Sequence, residues 1–384
     1  MVWYKKNGPE TYDRMDFWSS PSGILAKKLF YHNKLIGAPL ALLGLLLENF
    51  FPSLQKKFSK PHSEVIGDAH LSLGFLNLYV ASQNKDYLDE AEKLLKKMSR
   101  YSSKGYSGIC WGYSFGWQHS KNKFWPAKTP MTTITPYAFW AFKKHYEITK
   151  CASSKETVLS IAEFVLNDLN VTKINDNESL SYSPISNDIV INANSYSAAV
   201  LYDAYSLTKN IQFKTKADKA IEFILNNQGS LGEWYYEAKP QKDNFIDNFH
   251  TCFVLRNLYY CYQTTKEKKI LDSIKKGYTF YKKNLFYKNK RPKHFAVSKY
   301  IKMRKYEMYD YAEGIKLGVL LDSEINGAVD KAIFLAHDLI DNFQVKEGYF
   351  VTRVTSLNTY HRVPYMRWPQ AQLFYSLTML KNHL

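Results

Sequence analysis

The chain has 384 residues, 45% of them apolar and 16% aromatic, and its 52 Lys and Arg against 35 Asp and Glu leave a formal charge of +17. Apolar content of that order with only 17 Gly and 13 Pro excludes disordered and collagen-like classes. The longest apolar run, residues 36–47, falls short of the ~20 residues that cross a bilayer.

The N-terminal segment 1–60 offers a helix at 22–31 or at 35–48. Five helical pairs follow, 67–82 with 86–98, 136–149 with 155–169, 194–208 with 213–227, 248–264 with 266–283 and 309–321 with 326–342, and an unpaired helix at 369–380 ends the chain. The first helices align with Tyr79, Tyr146, Tyr205, Tyr259, Leu320 and Met379 at equivalent positions. The second helices carry one apolar stripe, as Ala162, Phe164, Val165 and Leu169 are matched by Ala220, Ile221, Phe223 and Ile224. The first helices, with runs such as Tyr137, Phe139, Trp140 and Phe142, are apolar nearly all round and are expected to be buried on every side. This alternation predicts an all-α (α/α)6 toroid, six inner helices inside an outer ring. It forms one domain over 1–384, with a helix of 1–60 filling the sixth outer place. An open solenoid is the alternative.

The stretches that precede the inner helices are long and aromatic, so loops or short hairpins should gather at one end of the ring. They supply the candidate substrate-binding residues Trp111, Tyr113, Trp117, Gln118, Asn192, Asn194, Trp234, Tyr236, Asn248, Arg367 and Trp368. Aromatic faces stack on sugar C–H surfaces, and amides pair with hydroxyls. In the competing reading the aromatics pack the loops and the polar residues cap helices.

Asp247 and His250 stand three apart at a helix start, on one face, where a carboxylate that orients an imidazole makes a general acid/base pair. Asp310, with Glu313 one turn on, is a second acidic candidate for catalysis, and Asp68 with His70 a third. Two carboxylates facing across the hole would suit inverting glycoside hydrolysis. Tyr and His facing a uronate would suit proton abstraction by a lyase or epimerase, with Arg367 holding the carboxylate.

His119, His145, His250, His294 and His361 lie apart without metal-site spacing, and no phosphate or dinucleotide loop is present, so neither metal nor cofactor is expected. No nucleic-acid motif accompanies the charge. The dense run from Lys288 to Lys305, which includes Lys290, Arg291, Lys293, Lys299, Lys302 and Arg304, is instead expected to meet phosphates of a lipid-linked substrate or a membrane surface. Four cysteines (Cys110, Cys151, Cys252, Cys261) without a CxxC pair, and a start lacking an apolar signal core, predict a cytoplasmic protein, at most peripheral at the inner membrane face.

One set of motifs runs the length of the chain. Trp111-Gly112-Tyr113-Ser114-Phe115-Gly116-Trp117-Gln118 is followed by Lys128-Thr129-Pro130-Met131-Thr132-Thr133, then by Asn192-Ala193-Asn194 and Trp234-Tyr235-Tyr236. Ile246-Asp247-Asn248-Phe249-His250-Thr251 and Met366-Arg367-Trp368 complete the series, and Tyr12-Asp13-Arg14-Met15-Asp16 precedes it. In this the chain resembles the VpsJ-type proteins of bacterial surface-polysaccharide gene clusters. The resemblance implies an α/α-toroid with a role in making capsule, O-antigen or exopolysaccharide. That role is either a glycan-modifying enzyme (epimerase, lyase or hydrolase) or a non-catalytic glycan-binding or scaffold protein, because one fold hosts all of these.

Overall fold

The computed structural model describes residues 2–174, 177–238, 243–299 and 303–384. Its N-terminal helices are α1 (Val2–Asn7), α2 (Asp16–Ser19), α3 (Pro21–His32) and α4 (Lys34–Phe50). The helical pairs are α5 (Val65–Ser82) and α6 (Lys85–Arg100), α7 (Thr135–Thr149) and α8 (Ala152–Asn167), α9 (Ile191–Thr208) and α10 (Ile211–Asn226), α11 (Asn248–Thr265) and α12 (Lys268–Asn284), and α13 (Met308–Leu320) and α14 (Ala328–Phe343), before the last helix, α15 (Ala371–His383). Helices α5, α7, α9, α11, α13 and α15 touch in cyclic order, with α15 returning to α5, and each of α6, α8, α10, α12 and α14 packs outside the inner helix before it. This is the predicted (α/α)6 toroid.

The local sequence explains the alternation. Helix α6 buries Ala91, Leu94, Leu95 and Met98, one stripe at helical spacing, whereas α9 buries every residue from Ile191 to Ala204. The turn between partners repeats too. Gln83, Lys150, Lys209 and Lys266 adopt left-handed backbone (φ 56°, 59°, 60° and 56°). Their N–H groups close onto the carbonyls of Tyr79, Tyr146, Tyr205 and Tyr262 at 2.7–2.8 Å. The fourth repeat therefore aligns on Tyr262, three residues beyond the Tyr259 expected from sequence. Each of the three lysines also lays its ammonium over that same tyrosine ring, at 5.7, 5.6 and 5.1 Å.

All six inner helices meet at the ring axis through side chains. Arg256 of α11 donates to Glu313 Oε2 of α13 at 2.6 Å and to the Tyr196 hydroxyl of α9 at 2.9 Å, and Tyr196 pairs with Tyr137 of α7. Lys316 also donates to Glu313, and the His70 ring of α5 lies 4.5 Å from Tyr137 and 5.8 Å from Tyr375 of α15. Glu313 is thus spent at the axis and does not accompany Asp310. His70 gives its Nδ1 to the Ile66 carbonyl (2.7 Å), so it forms no pair with Asp68.

The N-terminal segment departs from expectation. Backbone bonds between Thr11 and His62 (3.0 and 2.8 Å) join the ends of a closed excursion that contains α2, α3 and α4. Within it α3 and α4 pack on each other, and α2 and α3 pack on strand β1 (Trp117–Ser120) at the loop-bearing end, away from the outer ring. The sixth outer place is entered by α1, whose Tyr4 packs on Phe75 (5.2 Å) and donates to Glu90 (2.8 Å) while Trp3 meets Tyr349 (5.8 Å).

The short strands all lie between an outer helix and the next inner one. Strand β1 pairs with β2 (Lys123–Trp125), β3 (Val171–Ile174) with β4 (Asn177–Leu180), and β5 (Ile246–Asp247) with β6 (Phe295–Val297), while β7 (Arg304–Glu307), β8 (Arg353–Thr355) and β9 (Tyr360–His361) form one antiparallel sheet.

The left-handed caps give a stability prediction. Lys209→Val forces a β-branched residue to positive φ and should cost about 1–2 kcal/mol in urea melts. Lys209→Gly should stay within about 0.5 kcal/mol of the parent, because relief of strain offsets the lost cation–π contact.

Candidate active site

Asp247 is the N-cap of α11 and accepts the His250 N–H at 3.0 Å. The same bond places the His250 ring, whose Nδ1 lies 2.9 and 2.8 Å from the two Asp247 oxygens. A carboxylate there holds the proton on Nδ1 and leaves Nε2 as the basic nitrogen. Phe249 (4.3 Å), Tyr236 (4.8 Å) and Phe253 (5.6 Å) wall the ring, and Phe245 stacks parallel on Tyr236 at 4.9 Å. The His250 side chain keeps 22% of its surface exposed while that of Asp247 keeps 2%, so the pair is fixed from below and open above.

A second Asp–His pair stands beside it. Asp310, in the first turn of α13, accepts from His294 Nδ1 at 2.8 Å, and His294 Nε2 lies 3.3 Å from Arg304 Nη1. The Phe249 ring serves both imidazoles, with His294 at 5.6 Å. Burial pushes the Asp310 carboxyl up to about 6, against the opposing pull of His294. Its other oxygen, Oδ1, is buried and has no hydrogen-bond partner among the described residues. Trp368 completes this wall, 4.0 Å from Tyr309 and 5.5 Å from Phe249, and its buried indole N–H is likewise without a partner among the described residues.

Arg304 belongs to an ionic strip that joins the site to the N-terminal excursion. Glu48 of α4 accepts from Arg14 (2.6 Å), Trp18 (3.0 Å) and Arg353 (3.3 Å), and Arg304 lies 3.6 Å from it. Glu307 lies 3.3 Å from Arg353 and 3.7 Å from Arg304. Burial alone would raise the Glu48 carboxyl, yet Arg14, Arg353 and Arg304 hold it well below the usual carboxylate range. Burial, Arg353 and Arg14 together pull Arg304 down to about 9.

The remaining candidates separate by burial and partners. Tyr113 and Trp117 form an aromatic bank, 5.4 Å apart, with Trp117 stacked on Trp125 at 5.9 Å. Gln118 is buried and donates to the Ser120 carbonyl at 2.6 Å, with its oxygen unpartnered among the described residues, as is the Asn192 side-chain oxygen. Four candidates are corrected to braces. Trp111 and Trp234 are buried with their indole N–H groups on the Met98 and Ile224 carbonyls (2.9 and 3.0 Å). Asn194 pins Leu180 (2.7 Å) and Asn248 pins the Leu285 carbonyl (3.0 Å), both fully buried.

Arg367 is also corrected as a carboxylate clamp. Asp13 already takes its guanidinium, at 2.5 Å from Nε, above the Tyr113 ring at 4.8 Å. The basic run from Lys288 to Lys305 is not one face. Arg291 pairs with Asp338 (2.7 Å), His294 with Asp310, and Arg304 with Glu48, while Lys302 lies outside the described residues.

His294, Arg304, Arg14 and Glu48 are the site residues that sequence reasoning left unassembled. Arg14 stood in the Tyr12 to Asp16 motif, Arg304 in the basic run and His294 among the isolated histidines, and no spacing joined them.

Neither a family model nor a curated protein matches the chain. Its fold matches solved structures at low identity. The cellobiose 2-epimerase of Spirochaeta thermophila is 11% identical over 84% of this chain and 85% of its own, with a TM-score of 0.62. An inactive variant of the GH76A α-1,6-mannanase of a Salegentibacter species, in which two consecutive aspartates are replaced and which holds α-1,6-mannotriose, is 12% identical over 85% and 90%, with a TM-score of 0.59. A polysaccharide lyase is 12% identical over 82% and 88%, with a TM-score of 0.56. The shared property is the toroid, in proteins that act on glycans.

Two predictions follow from the charges. An unfolded chain releases the Asp310 proton near pH ~4, whereas the fold holds it to about 6. Folding therefore takes up a proton in that window, and this group's contribution to stability falls as pH rises through it. Wild type should accordingly lose stability relative to Asp310→Asn between pH 4 and 6.5 in paired urea titrations. Glu48→Ala strands Arg14 and Arg353 and should cost about 3–5 kcal/mol in the same measurement.

Proposed function

We propose that this protein is a glycan-modifying enzyme that moves a proton at a sugar carbon, by epimerase- or lyase-type chemistry, with His250 as the acid/base group. The observation that carries the reading is the Asp247–His250 pair. Both carboxylate oxygens lie on Nδ1, Nε2 is the nitrogen left to react, and the ring is partly open within an aromatic wall. His250 Nε2 takes the proton from the carbon next to a carbonyl or uronate carboxylate, and Asp247 stabilises the imidazolium that forms. Return of a proton to the opposite face, from water or from His250 once the enediol has turned over, gives the epimer, and expulsion of a β-alkoxide that takes up the imidazolium's proton gives the unsaturated sugar. Tyr236, Phe249 and Trp368 offer faces for the pyranose ring, and Tyr113 and Trp117 extend them toward further sugar units.

Hydrolysis by paired carboxylates fits less well. Asp247 is committed to His250, and the chain contains no two consecutive aspartates of the kind replaced in the inactive mannanase. The motif series from Tyr12 to Trp368 adds the setting, the production of a bacterial surface polysaccharide.

The test is solvent-deuterium incorporation by NMR into a panel of reducing disaccharides and uronate oligomers. Wild type should label one carbon, and His250→Gln and Asp247→Asn should each lower the rate by about 10²–10⁴-fold with unchanged thermal melts. Saccharide binding without any labelling or product would replace this reading with that of a non-catalytic glycan-binding protein.

A further inference from the structure

We infer that the α3–α4 hairpin docks into the surface of an anionic lipid bilayer and holds the loop-bearing end of the toroid against it. Residues 35–47 carry no side chain with a polar atom, and they form a helix that the fold leaves largely uncovered. Leu35 is 89% exposed and Ile36 61%, at the tip, and Leu40, Leu42, Leu43 and Leu45 are exposed behind them. Only the glycine side of α4 is packed, where Gly37 rests on the Phe30 backbone and Gly44 against Phe17 and Trp18. A side chain at Gly37 would collide with that backbone at 2.0 Å, so the small residues hold α3 and α4 together while the leucines face outward. An aliphatic patch of this extent on an otherwise ordinary surface marks an interaction site.

Its chemistry selects lipid. Protein interfaces are enriched in Tyr, Trp, Met and Arg and carry a hydrogen bond per 100–200 Å², whereas this helix offers leucine, isoleucine, alanine, glycine and one proline over 13 residues. The charges around it have one sign. Between Ser20 and His62 there are six lysines (Lys27, Lys28, Lys34, Lys56, Lys57 and Lys60) and one acid, Glu48, which is buried among Arg14, Arg304 and Arg353. An apolar body rimmed by lysine is the composition of a helix that lies in the headgroup boundary, with the lysines drawn toward an anionic surface. At 17 residues α4 is too short to cross, and no helix among the described residues meets the length and apolarity of a span. A cleft of about 970 Å³ between α3 and α4 runs from Trp18 and Glu48 toward Lys34, so it opens on the same side. This assignment is independent of the reaction at His250.

Vesicle co-sedimentation of the full chain tests it. The protein should pellet with vesicles of phosphatidylcholine and phosphatidylglycerol, and weakly with phosphatidylcholine alone. Leu35→Asp/Ile36→Asp and Lys28→Glu/Lys34→Glu should each reduce the bound fraction about tenfold with unaltered thermal melts, since these side chains are exposed. Absence of pelleting, or pelleting that the Leu35→Asp/Ile36→Asp variant retains, would overturn the inference. A dimer in sedimentation velocity that this variant dissociates, with no vesicle binding by wild type, would overturn it in favour of a second copy of the chain.

Discussion

Six helices set side by side in a ring leave an axis that no backbone reaches, and the whole fold depends on filling it. Here the filling is polar. Arg256, Glu313 and Lys316 form a charge cluster surrounded by the rings of Phe253, Tyr137, Trp140 and Tyr196, each 5.2–5.6 Å from the Arg256 guanidinium. Buried ion pairs contribute little net stability but tolerate few alternative arrangements, which suits a ring that must close in one register. Burial pushes Lys316 down to about 8 against the pull of Glu313, and burial with Lys316 nearby holds His70 well below its ordinary range, so the imidazole sits uncharged beside the ammonium. With the axis plugged by side chains from all six inner helices, the candidate site lies at the loop-bearing end.

That end draws its chemistry from helix starts. An N-cap carboxylate accepts backbone N–H groups and is thereby fixed in direction. Asp247 uses the same oxygens to aim His250, which makes one residue both a structural cap and an orienting group. Asp310 sits in the first turn of the next inner helix and repeats the arrangement with an imidazole from the preceding loop. Their burial differs in a way that assigns roles. His250 is partly exposed with Nε2 available, whereas His294 is buried with Nε2 against Arg304, which is why the proposed proton transfer is placed on the first pair.

The helices were legible because their signal is local. Burial on one stripe or on all faces appears within a dozen residues, and helix ends fell within a few residues of the observed ones. Asp247 with His250 was legible for the same reason, since three residues on a helix always share a face. The partners that sequence reasoning missed are distant in the chain: His294 with Asp310, Arg367 with Asp13, and Arg353 with Glu48. No spacing rule links such positions: the loop that leads into α13 brings the first pair together, and the closure of the ring brings the other two. The misplaced register at Tyr259 has a subtler cause. Tyr259 and Tyr262 both satisfy the apolar pattern, and what chooses between them is the Tyr-x-x-Thr-Lys that recurs at 146–150, 205–209 and 262–266, whose lysine takes the left-handed turn.

Helix α4 was misread because the pattern that identifies a buried helix is the same whether the surrounding medium is protein or lipid. Its apolar run predicted a place in the outer ring, yet the Thr11–His62 pairing holds the excursion apart, and the leucines remain outside. The excursion is nevertheless wired to the site. Glu48 binds Arg14, Arg353 and Arg304, Arg304 reaches His294, and Arg14 lies over Trp368 at 5.6 Å. The hairpin and the second Asp–His pair are thus joined through one buried carboxylate, Glu48.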